Sequence, residues 1–241
     1  MIRPIKNVLV TGAYGGLGEA LVRYYLAKNN NVCLLGRDSS RLRDLAISLQ
    51  NNNEHNNKIY FESCDLSDTA SIQPAACRIK ENFGNIDILI NCAGTFPINE
   101  LQNTSLSEFQ DCVNVNLIAP FVLTREFSKE MKSNNWGRII NIASSSAYGA
   151  GPKTSAYCAS KHALLGFSRS LFKELKPDNI RVFCVSPGSI QTEMGRDVEK
   201  LGQDYDTFMT PDEVAEYVYC VTSFDGHMIS EEIKLNRLFV Q

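Results

Sequence analysis

Short β-branched runs alternate with longer stretches of helical periodicity along almost the whole chain, and this alternation restricts the fold more than any other feature. Strands are expected over Asn7–Thr11, Asn31–Gly36, Lys58–Glu62, Ile86–Asn91, Arg138–Ala143, Ile180–Val185 and Ile233–Leu235. Helical segments fall near 15–29, 39–50, 69–83, 105–133, 156–176 and 211–223. Runs such as Ile86-Asp87-Ile88-Leu89-Ile90 and Arg138-Ile139-Ile140-Asn141-Ile142 are almost continuously apolar, as strands covered on both faces must be. Repeated strand–helix–strand units with right-handed crossovers therefore predict an α/β fold: a doubly wound, seven-stranded parallel sheet flanked by helices on both faces.

Nothing divides the chain. With 241 residues, 44 % of them apolar, it can build one large core, and residues 1–241 are read as a single domain. Twenty-four basic residues against 27 acidic ones leave a formal charge of −3, which gives no electrostatic case for nucleic acid or an anionic membrane. Met1 leads through Ile2, Arg3 and Pro4 straight into the first strand, and no apolar segment has signal-peptide or membrane-spanning length. The eight cysteines form no Cys-x-x-Cys pair, so no metal site is expected and a reducing, cytoplasmic setting fits best. The Asn-rich stretch 51–57 reads as a polar surface loop with His55 in solvent.

The first strand ends in Thr11-Gly12-Ala13-Tyr14-Gly15-Gly16-Leu17-Gly18, and a helix follows at once. Gly12 permits a tight turn, Gly16 a close approach of backbone amides to a pyrophosphate, and Gly18 close packing of the helix. The helix start then offers free N–H groups and a positive dipole end to the anion. This is a dinucleotide-binding, Rossmann-like arrangement, with Tyr14, Gly15 and Leu17 completing the loop. At the tip of the second strand, Gly36 stands where an NAD site places a carboxylate, and Arg37 follows. A guanidinium there suits a ribose 2′-phosphate, which favours NADP(H) and leaves NAD(H) open. Asp38 is the opposing signal, although it can equally cap the next helix.

Tyr157 and Lys161 lie four residues apart in the predicted helix 156–176 and so share one face. A tyrosine near pKa 10 needs a neighbouring cation to exchange protons near neutral pH, and Lys161 can supply it. Ser144, at the end of the fifth strand, falls where ligand-binding loops gather. Taken together, these segments resemble the short-chain dehydrogenase/reductase family in its single-domain form. Its cofactor loop is matched by Gly12, Gly16 and Gly18, and its Asn-Asn-Ala-Gly by Asn91-Cys92-Ala93-Gly94. Asn116 matches its catalytic asparagine, and Ser144, Tyr157 and Lys161 match its catalytic serine, tyrosine and lysine. Pro187-Gly188-Ser189-Ile190-Gln191-Thr192 resembles the Pro-Gly-x-Ile-x-Thr turn beside the nicotinamide, which adds Pro187, Gly188, Ile190 and Thr192 to the cofactor set.

The resemblance implies interconversion of a ketone and a secondary alcohol by hydride transfer. Ser144 would bind the carbonyl, Tyr157 would act as acid/base, and Lys161 would hold the ribose and depress the Tyr157 pKa. Asn116 would position a water, unless its amide is simply satisfied by local backbone. Asp65 would meet the adenine amino group with Leu66 over the ring, unless Asp65 only caps the helix that follows. Cys92 replaces the family's second asparagine, Gly15 replaces a basic residue frequent in NADP-preferring relatives, and the C-terminal stretch 233–241 lacks the usual Val-Asp-Gly-Gly. The segment from Glu193 to Met209 reads as a mobile, polar lid.

A 3-oxoacyl thioester, a keto sugar or polyol, and a small ketone all stay open as substrate, with a lean to the first. A homodimer or homotetramer is expected, with Phe121, Leu165, Phe167 and Phe172 as candidate contact residues. An idle NADP(H)-binding sensor or scaffold of the same fold is the alternative, against which the intact Ser144, Tyr157 and Lys161 argue. An unrelated α/β module such as a methyltransferase accounts for none of those three.

Overall fold

In a computed structural model, residues 4–51, 53–199 and 201–238 are described. Seven parallel strands form one sheet in the order β3-β2-β1-β4-β5-β6-β7. They are β1 (Asn7–Thr11), β2 (Asn31–Gly36), β3 (Ile59–Ser63), β4 (Ile88–Asn91), β5 (Gly137–Ile142), β6 (Ile180–Pro187) and β7 (Glu232–Leu235). Eight α-helices connect or follow them: α1 (Gly16–Ala27), α2 (Ser39–Asn51), α3 (Thr69–Asn82), α4 (Leu106–Val113), α5 (Ala119–Ser133), α6 (Ser155–Leu175), α7 (Glu193–Glu199) and α8 (Pro211–Thr222). The sequence-based segments agree with these bounds to within one or two residues except in two places, described below.

Side-chain alternation along the strands sorts the core into two layers. Val8 and Val10 of β1 pack with Leu21, Leu42 and Val218 on the face covered by α1, α2 and α8. Leu9, between them, packs with Ile72, Ile79 and Phe127 on the face covered by α3 and α5. All of these side chains are buried, and each such burial contributes about 1.5–3 kcal/mol. β1 pairs β2 on one side and β4 on the other, so sequence order reverses between β1 and β4 and a crevice opens at the carboxyl edge between them.

The first difference lies in the expected helix 105–133. It is two helices, α4 and α5, joined by a π-turn at Asn114–Ile118. A π-turn inserts one extra residue per turn, and such turns concentrate at functional sites. The second is the expected lid. Glu193–Glu199 forms helix α7, Tyr205–Thr207 forms a 3-10 turn, and Ile190 pairs with Met209 across the base of the segment. Its Lys200 lies outside the described residues, as do Met1–Arg3, Asn52 and the C-terminal Phe239–Gln241.

In the Asn-rich loop His55 is exposed, but Asn57 turns inward and donates to Asn29 Oδ1 at 3.0 Å. Of the four candidate contact residues, Leu165 is buried and Phe172 packs against the core. Phe121 remains 43 % exposed and meets Phe167 edge-on at 6.1 Å. No helix among the described residues is long and apolar enough to cross a membrane.

Candidate active site

The phosphate loop is built by close backbone contact. Gly12 has φ +67°, a conformation that costs glycine nothing, and a Cβ there would lie 2.9 Å from Ala93 Cα. A Cβ on Gly18 would lie 2.1 Å from Gly12 O, so only hydrogen fits where α1 leaves the loop. Gly16 faces Thr192, whose methyl carbon would lie 2.8 Å from an added Cβ, which brings the loop against the Pro187–Thr192 turn. Gly15 caps α1 without any side-chain hydrogen bond, leaving first-turn amides for an outside acceptor. That donor set fits the pyrophosphate of a dinucleotide.

Thr11 ties the loop to β4. Its Oγ1 accepts from Cys92 N at 3.0 Å and from Ala93 N at 2.9 Å. Behind these, Asn91 Nδ2 donates to Asn141 Oδ1 (2.8 Å) and Asn141 Nδ2 to Ser168 Oγ (2.9 Å), stitching β4, β5 and α6 through the core. Asn91 Oδ1 is buried and takes no bond. This stitching steadies β4 with Cys92 beside Asn91.

At the tip of β2 the structure explains Gly36. The ring of Tyr14 fills the space a side chain would need, with Cε1 2.5 Å from an added Cβ. A side chain at position 36 would have to displace the Tyr14 ring. The guanidinium of Arg41, on α2, lies over the Tyr14 ring at 4.4 Å. Arg37 is exposed, with its carbonyl accepting from Ser63 Oγ at 2.9 Å. Arg41 was not singled out in the sequence; the signal was a second arginine one helical turn beyond Arg37. Asp38 caps α2, accepting from Ser40 N (2.9 Å) and Arg41 N (3.1 Å).

Asp65 is committed locally: its Oδ1 accepts from Ser67 N (2.9 Å) and Ser67 Oγ (2.8 Å), and these bonds lower its pKa. The cap of α3 is Asp68 instead, accepting from Ala70 N. Leu66 is buried against α3.

Ser144, Tyr157 and Lys161 meet at the carboxyl edge of the sheet. Ser144 leaves β5 in extended conformation and its Oγ accepts from Ser146 N at 3.1 Å. Ser144 lies close enough to the Tyr157 hydroxyl to favour its ionised form. Lys161 is 4 % exposed and its Nζ donates to Ile142 O at 2.8 Å. Burial pushes the Tyr157 hydroxyl up to about 12, with neighbouring Ser144 pulling it partly back. Burial also pulls Lys161 down to about 8. The expectation that Lys161 depresses Tyr157 is thus not met in this arrangement. The ammonium lies 5.6 Å from the Tyr157 ring centre and is spent on a carbonyl, so desolvation dominates.

Asn116 sits in the π-turn, 1 % exposed and fully engaged. Its Nδ2 donates to Thr95 O (3.0 Å) and Ser160 Oγ (2.9 Å), while Thr95 N donates to its Oδ1 (3.0 Å). The amide thus binds backbone, as the simpler reading held, but the backbone belongs to the β4 loop. A Cβ on Gly94 would lie 3.4 Å from Asn116 Oδ1 and 3.8 Å from Lys161 Nζ, so Gly94 keeps this corner open.

Beside Tyr157 lies a cavity of about 460 Å³ lined by Phe96, Ile98, Asn99, Asp197 and Leu201, between the β4 loop and α7. Phe96 stands edge-on to Tyr157 at 4.6 Å, so the cavity adjoins the hydroxyl-bearing ring. No group of metal-ligating side chains occurs among the described residues.

Comparison with known proteins agrees with this geometry. The short chain dehydrogenase family model matches residues 6–201. The chain is 31 % identical to the D-threitol dehydrogenase of Mycolicibacterium smegmatis, over 93 % of this chain and 88 % of that protein. It is also 31 % identical to the 3-oxoacyl-(acyl-carrier-protein) reductase FabG of Aquifex aeolicus, over 95 % and 94 %. An alcohol dehydrogenase from Thermococcus sibiricus, solved with 5-hydroxy-NADP, superposes with a TM-score of 0.87 at 26 % identity, covering 99 % of each chain. The chain belongs to the short-chain dehydrogenase/reductase family of oxidoreductases, which act on CH–OH and C=O groups of small molecules.

Proposed function

We propose that this protein is a single-domain, NADP(H)-dependent reductase or dehydrogenase that interconverts a ketone and a secondary alcohol, with Tyr157 as acid/base. The observation that carries the reading is the meeting of Ser144, Tyr157 and the buried Lys161 at the carboxyl edge of the sheet, with Phe96 of the neighbouring cavity edge-on to Tyr157. The cofactor supplies the hydride.

The chain's own residues supply position and protons. First-turn amides of α1, with Gly12, Gly16 and Gly18 keeping the loop tight, would hold the pyrophosphate. Arg37 and the Tyr14-stacked Arg41 would hold the 2′-phosphate, taking over from the basic residue that Gly15 replaces. Asn91, Ala93, Gly94 and the Pro187–Thr192 turn would line the nicotinamide end, and Asp65 and Leu66 the adenine end. Ser144 Oγ holds the carbonyl oxygen, Tyr157 Oη donates the proton to it, and Lys161 steadies the ribose. Asn116, with its amide committed to Thr95 and Ser160, keeps the β4 loop and α6 in register. Phe121 and Phe167 offer an aromatic face for a homodimer or homotetramer.

NADPH is favoured over NADH because Gly36 offers no carboxylate to a ribose 2′-hydroxyl, while Arg37 and Arg41 flank that position. A carbonyl panel followed by nicotinamide absorbance tests it. Arg37→Ala and Arg41→Ala should each raise the NADPH KM about tenfold or more and leave the NADH KM nearly unchanged. NADH outperforming NADPH in the unaltered protein overturns the cofactor assignment.

A further inference from the structure

The spacing Ser105-x-x-Glu108 is that of a capping box, in which the serine and the glutamate satisfy each other's backbone amides. The same spacing at Thr210-x-x-Glu213 forms the complete box at the start of α8, with the Glu213 carboxylate accepting from Thr210 N at 2.8 Å. At the start of α4 only half of it forms. Ser105 Oγ accepts from Glu108 N at 3.1 Å, but the Glu108 carboxylate turns away from the helix start to Asn99. Asn99 Nδ2 donates to both of its oxygens, at 2.7 and 2.8 Å. A helix that forgoes half its cap has spent that carboxylate elsewhere, and such local departures concentrate at functional sites.

The chemical consequence is a fixed orientation. A carboxylate only accepts, so the amide must present its nitrogen to Glu108 and its carbonyl oxygen away from it. Asn99 Oδ1 takes no hydrogen bond from the described residues, and Asn99 lines the cavity together with Phe96, whose ring stands edge-on to Tyr157. The backbone is pinned as well: Asn99 N donates to Lys153 O at 2.9 Å, and Lys153 pairs with Glu100 at 3.2 Å. Asp197 places a carboxylate in the wall, which disfavours an anionic, phosphate-bearing carrier. Phe96, Ile98 and Leu201 supply the apolar remainder. At about 460 Å³ the space suits a small molecule.

Resting on the carbonyl-reductase reading above, we propose that Asn99, locked by Glu108, is a specificity-determining residue that accepts a hydrogen bond from a substrate hydroxyl. The substrates are then uncharged hydroxy ketones and the diols or polyols formed from them.

Steady-state turnover with NADPH of a matched pair, 1-hydroxy-2-butanone and 2-butanone, tests this. The unaltered protein should favour the hydroxy ketone in kcat/KM by about tenfold or more, a neutral hydrogen bond's worth. Asn99→Leu should bring the ratio close to one by lowering the hydroxy ketone alone, with NADPH affinity by fluorescence titration unchanged. Glu108→Gln, which lets the amide turn, should reduce the ratio while the rate with 2-butanone holds. A ratio near one in the unaltered protein, a ratio that survives Asn99→Leu, or better turnover of a 3-oxoacyl thioester overturns the proposal. Turnover of neither ketone, with no effect of Tyr157→Phe on any carbonyl, overturns the reductase reading beneath it.

Discussion

Lys161 gives a prediction that separates electrostatics from packing. Burial lowers its pKa from 10.5 to about 8, so the folded chain holds this proton less tightly than the unfolded chain does. The charged form is therefore penalised by about 3 kcal/mol at pH 7. Between pH 8 and 10.5 the unfolded chain binds more protons, so this group makes stability rise with pH across that window and contributes a constant penalty below it. Lys161→Met removes the titration while keeping most of the side-chain volume. The lost bond to Ile142 O and any packing difference shift the comparison by a constant and drop out of its pH dependence. Cys92, Cys112 and Cys184, the other titrating groups around Lys161, are common to both proteins and largely cancel. Urea unfolding of both proteins at pH 7 and pH 9.5, without added cofactor, should show the unaltered protein regaining about 2 kcal/mol relative to Lys161→Met. A stability difference that is flat over that range refutes the desolvation argument.

Other expectations follow from the loops. Thr11→Val should destabilise the fold by about 1–3 kcal/mol in urea unfolding, because Ala93 N loses its acceptor while Cys92 N retains Ile90 O; Thr11→Ser should recover most of it. Gly18→Ala should weaken NADPH binding at least about tenfold by fluorescence titration, since its Cβ meets backbone at Gly12 O rather than a movable side chain. The arginine pair at the 2′-phosphate end should separate the cofactors as described, and loss of only the Arg37 effect would remove Arg41 from that site.

The sheet was legible because parallel strands covered on both faces must read as apolar runs, as at Ile88–Asn91 and Gly137–Ile142. The loop glycines were legible because backbone approach within 3 Å admits nothing larger, as at Gly12 and Gly18. Periodicity over 105–133 did not reveal the π-turn, because Asn114–Ile118 is a single turn within a stretch that is otherwise α-helical. It is that turn which points Asn116 at the β4 loop. Arg41 and Glu108 were hidden for another reason. Each lies on a helix surface where a charged residue is ordinary, and only tertiary packing brings Arg41 over Tyr14 and Glu108 to Asn99. The pKa of Tyr157 was misjudged for the same reason: helical spacing places Lys161 nearby but does not reveal that its ammonium is taken by Ile142 O.

The central claim is that Tyr157 moves the proton. Carbonyl reduction by NADPH, followed by nicotinamide absorbance in the unaltered protein and in Tyr157→Phe, tests it most directly. The ring and its contact with Phe96 are retained in that variant, so only the hydroxyl near Ser144 is lost. The account predicts a fall in kcat/KM of at least about a hundredfold with NADPH affinity unchanged. Equal turnover by the two proteins contradicts it.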